Sequence, residues 1–219
     1  MKIGIIGAGH IGQAIARLAV GKGHEVKISN SRGPETLTDI AREIGCSTGT
    51  AQEAGRFGTV TVVTVPFVSL FKIDPAPLAD RIVIDTNNYY PDRDGRIAAL
   101  DLHQTTTSAM VARHFAASKV VKAFNAILAA DLETPAPLSG AGSRRALPIA
   151  GDDVEAKRVV TELQEEFGFD TVDAGLLEDS WRFERAKPAY CIPLDRAGLV
   201  DALAKAERDV ELPHGSWRR

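Results

Sequence analysis

The sequence predicts a doubly wound α/β fold, with a mostly parallel sheet and a small helical extension at its C-terminus. Three observations predict it. Short β-branched runs alternate with amphipathic helical patterns along most of the chain, an order that requires a mostly parallel sheet covered on both faces. An apolar strand, Met1 to Ile6, runs directly into Gly7-Ala8-Gly9-His10-Ile11-Gly12, and a second strand, Glu25 to Ser29, follows one helix later at the spacing of a βαβ unit. Hydrophobic residues make up 44% of the 219 and charged residues 25%, enough to bury a full core.

The first helix carries Ile11, Ala14, Ile15, Leu18 and Ala19 on one face. Gly33-Pro34 starts a second helix, running from about Glu35 to Ile44, with proline at its favoured first position. Cys46 to Thr48 reads as a short strand and Ala51 to Arg56 as a short helix. Val60-Thr61-Val62-Val63-Thr64-Val65 is a core strand that stops at Pro66, which cannot donate to a sheet ladder. The next strand is Arg81 to Asp85, followed by Thr86-Asn87-Asn88-Tyr89-Tyr90 and a polar turn at Pro91 to Gly95. Thr107 to about Ala117 reads as a helix and Val120 to Phe124 as a sixth strand. Pro135 to Arg145, rich in Pro, Gly and Ser, is the best candidate linker. Beyond it come a strand at Ala146 to Ala150, a helix from Val154 to Phe167 with its N-cap in Gly151-Asp152-Asp153, and a last strand at Phe169 to Val172. Asp195 to Val210 reads as a helix with Leu199, Leu203, Ala206 and Val210 on one stripe, suited to packing on the body or on a second subunit. The order is that of a Rossmann fold, and it divides into a nucleotide-binding domain at 1–176 and a helical extension at 177–219.

The glycines have separate physical tasks. Gly7 permits a tight turn, Gly9 lets the backbone approach a pyrophosphate, and Gly12 lets helix and strand pack closely. The helix opening there aims free N–H groups at the phosphates. The end of the second strand then selects the nucleotide. An acidic side chain there would accept from the adenosine ribose hydroxyls of NAD. Instead Ser29, Asn30 and Ser31 offer neutral hydrogen-bonding groups and Arg32 a guanidinium, which suits the 2′-phosphate of NADP(H).

A formal net charge of −3 gives no electrostatic reason to expect nucleic acid or an anionic membrane as partner. No apolar run approaches a bilayer span, and the N-terminus opens the fold as a strand, so a cytoplasmic protein is expected. Cys46 and Cys191 stand far apart, and the histidines at 10, 24, 103, 114 and 214 form no ligand cluster, so no metal site is expected. Cys46 reads as a small buried hydrophobe.

In such sheets ligands bind beyond the carboxyl ends of the strands. The loops leaving strands four, five and six offer Pro66-Phe67-Val68, Asn87-Asn88-Tyr89-Tyr90 and Asn125-Ala126-Ile127-Leu128, none of them Asp, Glu, Lys, Arg or His. Reducing a carbonyl or imine by hydride needs a positioned acid. Tyr89 and Tyr90 could serve, yet neither has a lysine four residues on. With no catalytic acid–base residue singled out, the cleft suits a planar ring that accepts a hydride and disperses the charge itself, as flavins, deazaflavins and quinones do. Asn87 and Asn125 either border that ring or cap strand ends. Trp181, Phe183 and Tyr190 read as core or dimer contacts. Two rivals remain: a non-catalytic NADP(H) sensor, and an NADPH-dependent carbonyl reductase using Tyr89 or Tyr90.

Gly7 to Gly12, Ser29 to Arg32, Ile84-Asp85-Thr86-Asn87, Val120-Val121-Lys122-Ala123-Phe124-Asn125, Ala150-Gly151-Asp152-Asp153 and Val172-Asp173-Ala174-Gly175 together resemble the deazaflavin-dependent (coenzyme F420) NADP oxidoreductases. The cytosolic reductase domain of the six-transmembrane ferric reductases is similar. The resemblance spans about residues 1 to 185, with the Val-Lys-Ala-Phe-Asn block its most specific part. It implies an NADP(H) site at Gly7, Gly9, His10, Ile11, Gly12, Asn30, Ser31 and Arg32, with the nicotinamide flanked by Val65, Pro66 and the loop at Asn125. It also implies a small-molecule redox acceptor, a deazaflavin or flavin as co-substrate. A homodimer is the expected assembly. Asn88 to Gly95 and Trp181 to Leu194, which would border the acceptor, depart from the family pattern.

Overall fold

The structure is a computed structural model that describes residues 1–134, 143–213 and 215–216. In chain order it contains β1 (Lys2–Ile6), α1 (His10–Gly21), β2 (Glu25–Ser29), α2 (Thr38–Ile44), β3 (Ser47–Thr48), α3 (Ala51–Phe57), β4 (Val60–Val63) and α4 (Phe67–Leu70). There follow β5 (Ile82–Asp85), α5 (Pro91–Asp94), α6 (Ala98–Asp101), α7 (Thr107–His114), β6 (Lys119–Lys122) and α8 (Ala129–Glu133). The chain closes with β7 (Ala146–Gly151), α9 (Val154–Glu166), β8 (Asp170–Asp173) and α10 (Arg196–Ala204), and single tight helical turns stand at Pro34–Leu37, Ala76–Leu78 and Leu177–Phe183.

The strands form one sheet in the order β3-β2-β1-β4-β5-β6-β7-β8. Pairing is parallel through the first six, antiparallel between β6 and β7, and parallel again between β7 and β8. β1 and β4, in register at Ile3↔Val60 through Ile6↔Val63, are buried almost throughout because helices cover both faces. On one face Ile15 and Ala19 of α1, Ala41 of α2 and Val160 and Leu163 of α9 pack on the strands; on the other, Ala54 of α3, Phe67 and Leu70 of α4 and Val111 of α7 do so. A third apolar cluster joins the C-terminal segment to the body, with Phe183, Ala189, Tyr190, Leu199 and Leu203 packed against Ala146, Ala150 and Val172.

Several boundaries differ from expectation, each for a local reason. The strand expected to reach Val65 ends at Val63, and that expected to reach Phe124 ends at Lys122, where Phe124 takes a left-handed φ of 57° that leaves the ladder. The second helix opens as a tight turn after Gly33, itself at φ 106°, before α2 begins at Thr38. The helix expected over Thr107 to Ala117 stops at His114, and the tail helix stops at Ala204 rather than Val210, which is exposed. The expected cap of α9 is present, with Asp153 accepting from Ala156 N at 2.7 Å, and Asp195 caps α10 in the same way, accepting from Gly198 N at 2.8 Å. Most of the candidate linker, 135–142, lies outside the described residues, as does His214.

Candidate functional site

β1 and β4 are neighbours in the sheet, although the chain first runs outward through β2 and β3. This reversal opens a crevice beyond their carboxyl ends. The glycine turn lies at its edge. Gly7 stands at φ 119°, and a Cβ there would sit 2.2 Å from the Thr64 carbonyl oxygen; a Cβ on Gly12 would sit 2.0 Å from that of Gly7. Both positions therefore exclude any side chain for reasons internal to the fold. At Gly9 a Cβ would meet nothing within 4 Å, so the bareness of that position has no internal cause and leaves backbone open to the crevice. That fits a pyrophosphate.

At the end of β2 the structure divides the residues read from the sequence. Ser29 is buried and donates to Ile5 O at 3.0 Å, so its hydroxyl serves the sheet and not a ligand. Asn30 shapes the loop: its Oδ1 accepts from Arg32 N at 2.9 Å and its Nδ2 donates to Thr36 Oγ1 at 2.8 Å. Ser31 and Arg32 are exposed, and among the described residues the Arg32 guanidinium has no ion-pair partner.

A cleft of about 380 Å³ beside the glycine turn gathers Gly9, His10, Ile11, Val65, Pro66, Asn87 and Asn125. Gly7 and Gly12 do not line it, and Asn30, Ser31 and Arg32 stand apart from it at the β2 end. Asn125 is 3% exposed; its Nδ2 donates to Asn88 Oδ1 and Phe183 O, at 3.1 and 3.0 Å, while its Oδ1 is buried without a hydrogen-bond partner among the described residues. A buried acceptor left unpaired costs about 1–3 kcal/mol. An amide N–H₂ such as that of a nicotinamide carboxamide would satisfy it. The residues present thus fit a bound NADP(H).

Beneath Asn87 lies a buried ionic knot. Lys122 and Asp85 end adjacent strands in register and are wholly buried, with Nζ 3.6 Å from Oδ2. The ammonium's three protons are all used: Nζ donates to Asn87 O and Thr107 Oγ1 at 2.9 Å and to Ser108 Oγ at 3.1 Å. Asp85 Oδ1 accepts from Asn87 N and Nδ2, at 2.9 and 2.7 Å, and Oδ2 accepts from Ser108 Oγ at 2.5 Å. Glu184 joins from the C-terminal segment, accepting from Thr107 N and Oγ1. The knot fixes Asn87 and ties the segment that follows Phe183 to the strand ends.

Of the two tyrosines considered as acids, only Tyr90 reaches the cleft. Tyr89 turns into a separate outer cleft, where its hydroxyl donates toward Gly95 O or Asp101 Oδ1 and accepts from Ile97 N; burial raises its pKa above the ordinary tyrosine range. Tyr190, Cys191 and Arg93 also line the cofactor cleft, none of them expected there individually; the sequence reads Tyr190 as a core or dimer contact. Arg93 is spent on a bidentate pair with Asp94, at 2.9 and 2.7 Å. Burial pushes the Cys191 thiol up to about 12 and raises Tyr190 well above its ordinary range. Phe183 and Tyr190 are core residues as expected, whereas Trp181 lines the outer cleft. Cys46 is half-buried and its thiol is likewise raised by burial. Among the described residues there is no group of His, Cys, Asp or Glu that could hold a metal, and no helix long and apolar enough to cross a membrane.

Residues 2–89 match the family model described as NADP oxidoreductase, coenzyme F420-dependent. A hypothetical protein from Sinorhizobium meliloti, SMa0349, is 30% identical in a crystal structure that superposes with a TM-score of 0.75, over 90% of this chain and 95% of that one. The N-terminal part of the chain thus carries the signature of this NADP oxidoreductase family. A candidate F420-dependent NADP-reductase from Arthrobacter sp. FB24 is 25% identical, with a TM-score of 0.69 over 81% of this chain and 86% of its own. The metalloreductase STEAP3 of Rattus norvegicus is 30% identical over 203 residues, 88% of this chain; the chain spans only 38% of that relative's length. The family is one of NADP-dependent oxidoreductases, and the matches leave the electron acceptor open.

Removing the ammonium of Lys122 leaves a buried carboxylate uncompensated. Lys122→Met is expected to cost about 3–5 kcal/mol in urea denaturation. A loss below about 1 kcal/mol, the scale of an exposed ion pair, would contradict the knot's role.

Proposed function

We propose that the protein is an NADPH-dependent oxidoreductase that passes a hydride from the nicotinamide to a planar redox acceptor bound against it, a deazaflavin, flavin or quinone-like ring. The observation that supports this most directly is the composition of the cleft, where the amides of Asn87, Asn88 and Asn125 and the apolar side chains of Val65, Pro66 and Leu128 border a space beside the bare backbone of Gly9. Such a lining orients two flat rings and excludes water. Gly7, Gly9, His10, Ile11 and Gly12 would hold the pyrophosphate, with His10 acting through its backbone at the start of α1. Asn30, Ser31 and Arg32 would take the 2′-phosphate, and Val65, Pro66, Asn87 and Asn125 the nicotinamide. Residues 177–219 would serve as an extension of the nucleotide-binding body at 1–176, in a cytoplasmic homodimer.

A second reading, an NADPH-dependent carbonyl reductase with Tyr90 as acid, draws support from the place of that tyrosine on the cleft. Stopped-flow oxidation of NADPH under anaerobic conditions separates the two. Among a deazaflavin, FMN, FAD, quinones and ferric chelates, at least one acceptor should be reduced, with stereospecific transfer of nicotinamide deuterium to a ring acceptor. Turnover of ketones or imines alone would overturn the planar-acceptor reading, and tight binding with no turnover on any acceptor would favour a sensor of NADP(H).

A charge-assisted hydrogen bond is worth about 1.5–3 kcal/mol, so Arg32→Ala should weaken NADPH binding roughly ten- to a hundredfold while leaving NADH almost unchanged. Equal losses for both, measured by calorimetry, would refute the contact with the 2′-phosphate.

A further inference from the structure

The hydride-transfer reading leaves one proton unsupplied. An acceptor that takes a hydride becomes an anion, with the charge on a ring oxygen or nitrogen. We propose that Tyr90 is a catalytic acid that protonates this atom, that Tyr190 is the positioning residue for its hydroxyl, and that the outer cleft is the route by which Tyr90 regains its proton. The proposal rests on the reading above, and its test has an arm that does not.

Tyr90 is the residue shared by the two clefts. On the inner side it faces the space where the acceptor would lie over Val65 and Pro66. On the outer side it borders a cleft of about 390 Å³ lined by Asp101, His103, Glu184 and other polar groups, open to exchangeable protons. Its position is tightly set. The backbone N donates to Asp94 Oδ2 at 3.0 Å, and two guanidiniums pack against the ring, with Arg93 Cζ 4.7 Å and Arg185 Cζ 5.7 Å from its centroid. The hydroxyl stands 2.5 Å from that of the buried Tyr190, which reaches this wall from a hundred residues away.

The other groups on the inner cleft serve poorly. Arg93 is committed to Asp94, and Thr86 donates to Val63 O at 3.2 Å. The Cys191 thiol is held up at about 12 by burial, and His10 opens α1, where its backbone would face the phosphates.

The step balances as follows in atoms and charge. The C–H bond of the reduced nicotinamide breaks, and its hydrogen passes with the electron pair to the acceptor, which is reduced as the nicotinamide is oxidised. The O–H bond of Tyr90 breaks and its proton joins the acceptor anion. The Tyr90 oxygen recovers a proton from water in the outer cleft, so that NADPH, acceptor and one proton give NADP⁺ and the reduced acceptor.

The test pairs a kinetic readout with a static one, using Tyr90→Phe and Tyr190→Phe. With a 1,4-naphthoquinone in single turnovers, Tyr90→Phe should slow NADPH oxidation by about a hundredfold or more and abolish the solvent deuterium isotope effect, with NADPH affinity retained. Tyr190→Phe, which leaves the acid but loosens it, should cost roughly tenfold, the scale of one hydrogen bond, and retain a solvent isotope effect. The static arm needs no turnover. para-Nitrophenolate carries an oxyanion like that of a reduced quinone, and nitrobenzene is the same ring without it. On the NADP⁺ complex the phenolate should bind wild type at least about tenfold more tightly than Tyr90→Phe does, with nitrobenzene binding the two equally. Unchanged phenolate affinity in Tyr90→Phe, or an unchanged rate and isotope effect, overturns the assignment. If deuterium at the transferred C4 position of NADPH does not slow the single-turnover reduction of the quinone, the hydride reading fails, and the phenolate comparison still decides the role of Tyr90.

Discussion

The far wall of the cofactor cleft depends on one lysine that has no access to water. Lys122 ends β6 inside the sheet, and an ammonium in that position persists only if a carboxylate and acceptors surround it. Asp85 supplies the charge from the neighbouring strand, and Asn87, Thr107 and Ser108 supply the acceptors. These demands fix the loop after β5 and the start of α7 at the same level. Glu184 then draws the C-terminal segment onto that level, just before Tyr190 and Cys191 complete the wall.

The near wall is built differently. It is local in sequence, since β1, the glycine turn and α1 are consecutive and the end of β2 follows within one crossover. Its requirements are steric more than electrostatic: two glycines where backbone oxygens leave no space for a Cβ, and one where the space is open. A site with one local wall and one wall assembled at long range can keep its nucleotide specificity while its acceptor specificity changes, because the two are carried by separate parts of the chain.

This division explains how much was legible in the sequence. The sheet, the helix cap at Asp153, the glycine turn and the strand-end loops carrying Pro66, Asn87 and Asn125 follow from periodicity, punctuation and spacing, whereas Val65 entered only through the family resemblance. The boundaries that slipped, at Val63, Lys122 and Ala204, were set by dihedrals and by packing that periodicity does not encode. Ser29 offered a hydroxyl in the right place, but its strand pairing spends that hydroxyl on Ile5 O. Lys122 did leave a signal: a lysine within Val-Val-Lys-Ala-Phe must be buried, and the next strand over ends in an aspartate. Tyr190 read only as a core or dimer contact and Arg93 left no signal, because only the folded C-terminal segment and the turn at Pro91–Asp94 carry them to the cleft.

The account stands on the claim that the glycine turn and the end of β2 together bind the phosphorylated pyridine nucleotide. Isothermal titration of the purified wild-type chain with NADPH and NADH tests it most directly. The account predicts saturable binding of one equivalent of NADPH per chain, tighter than NADH by roughly ten- to a hundredfold. Indifference to both nucleotides, or equal affinity for the two, would contradict it.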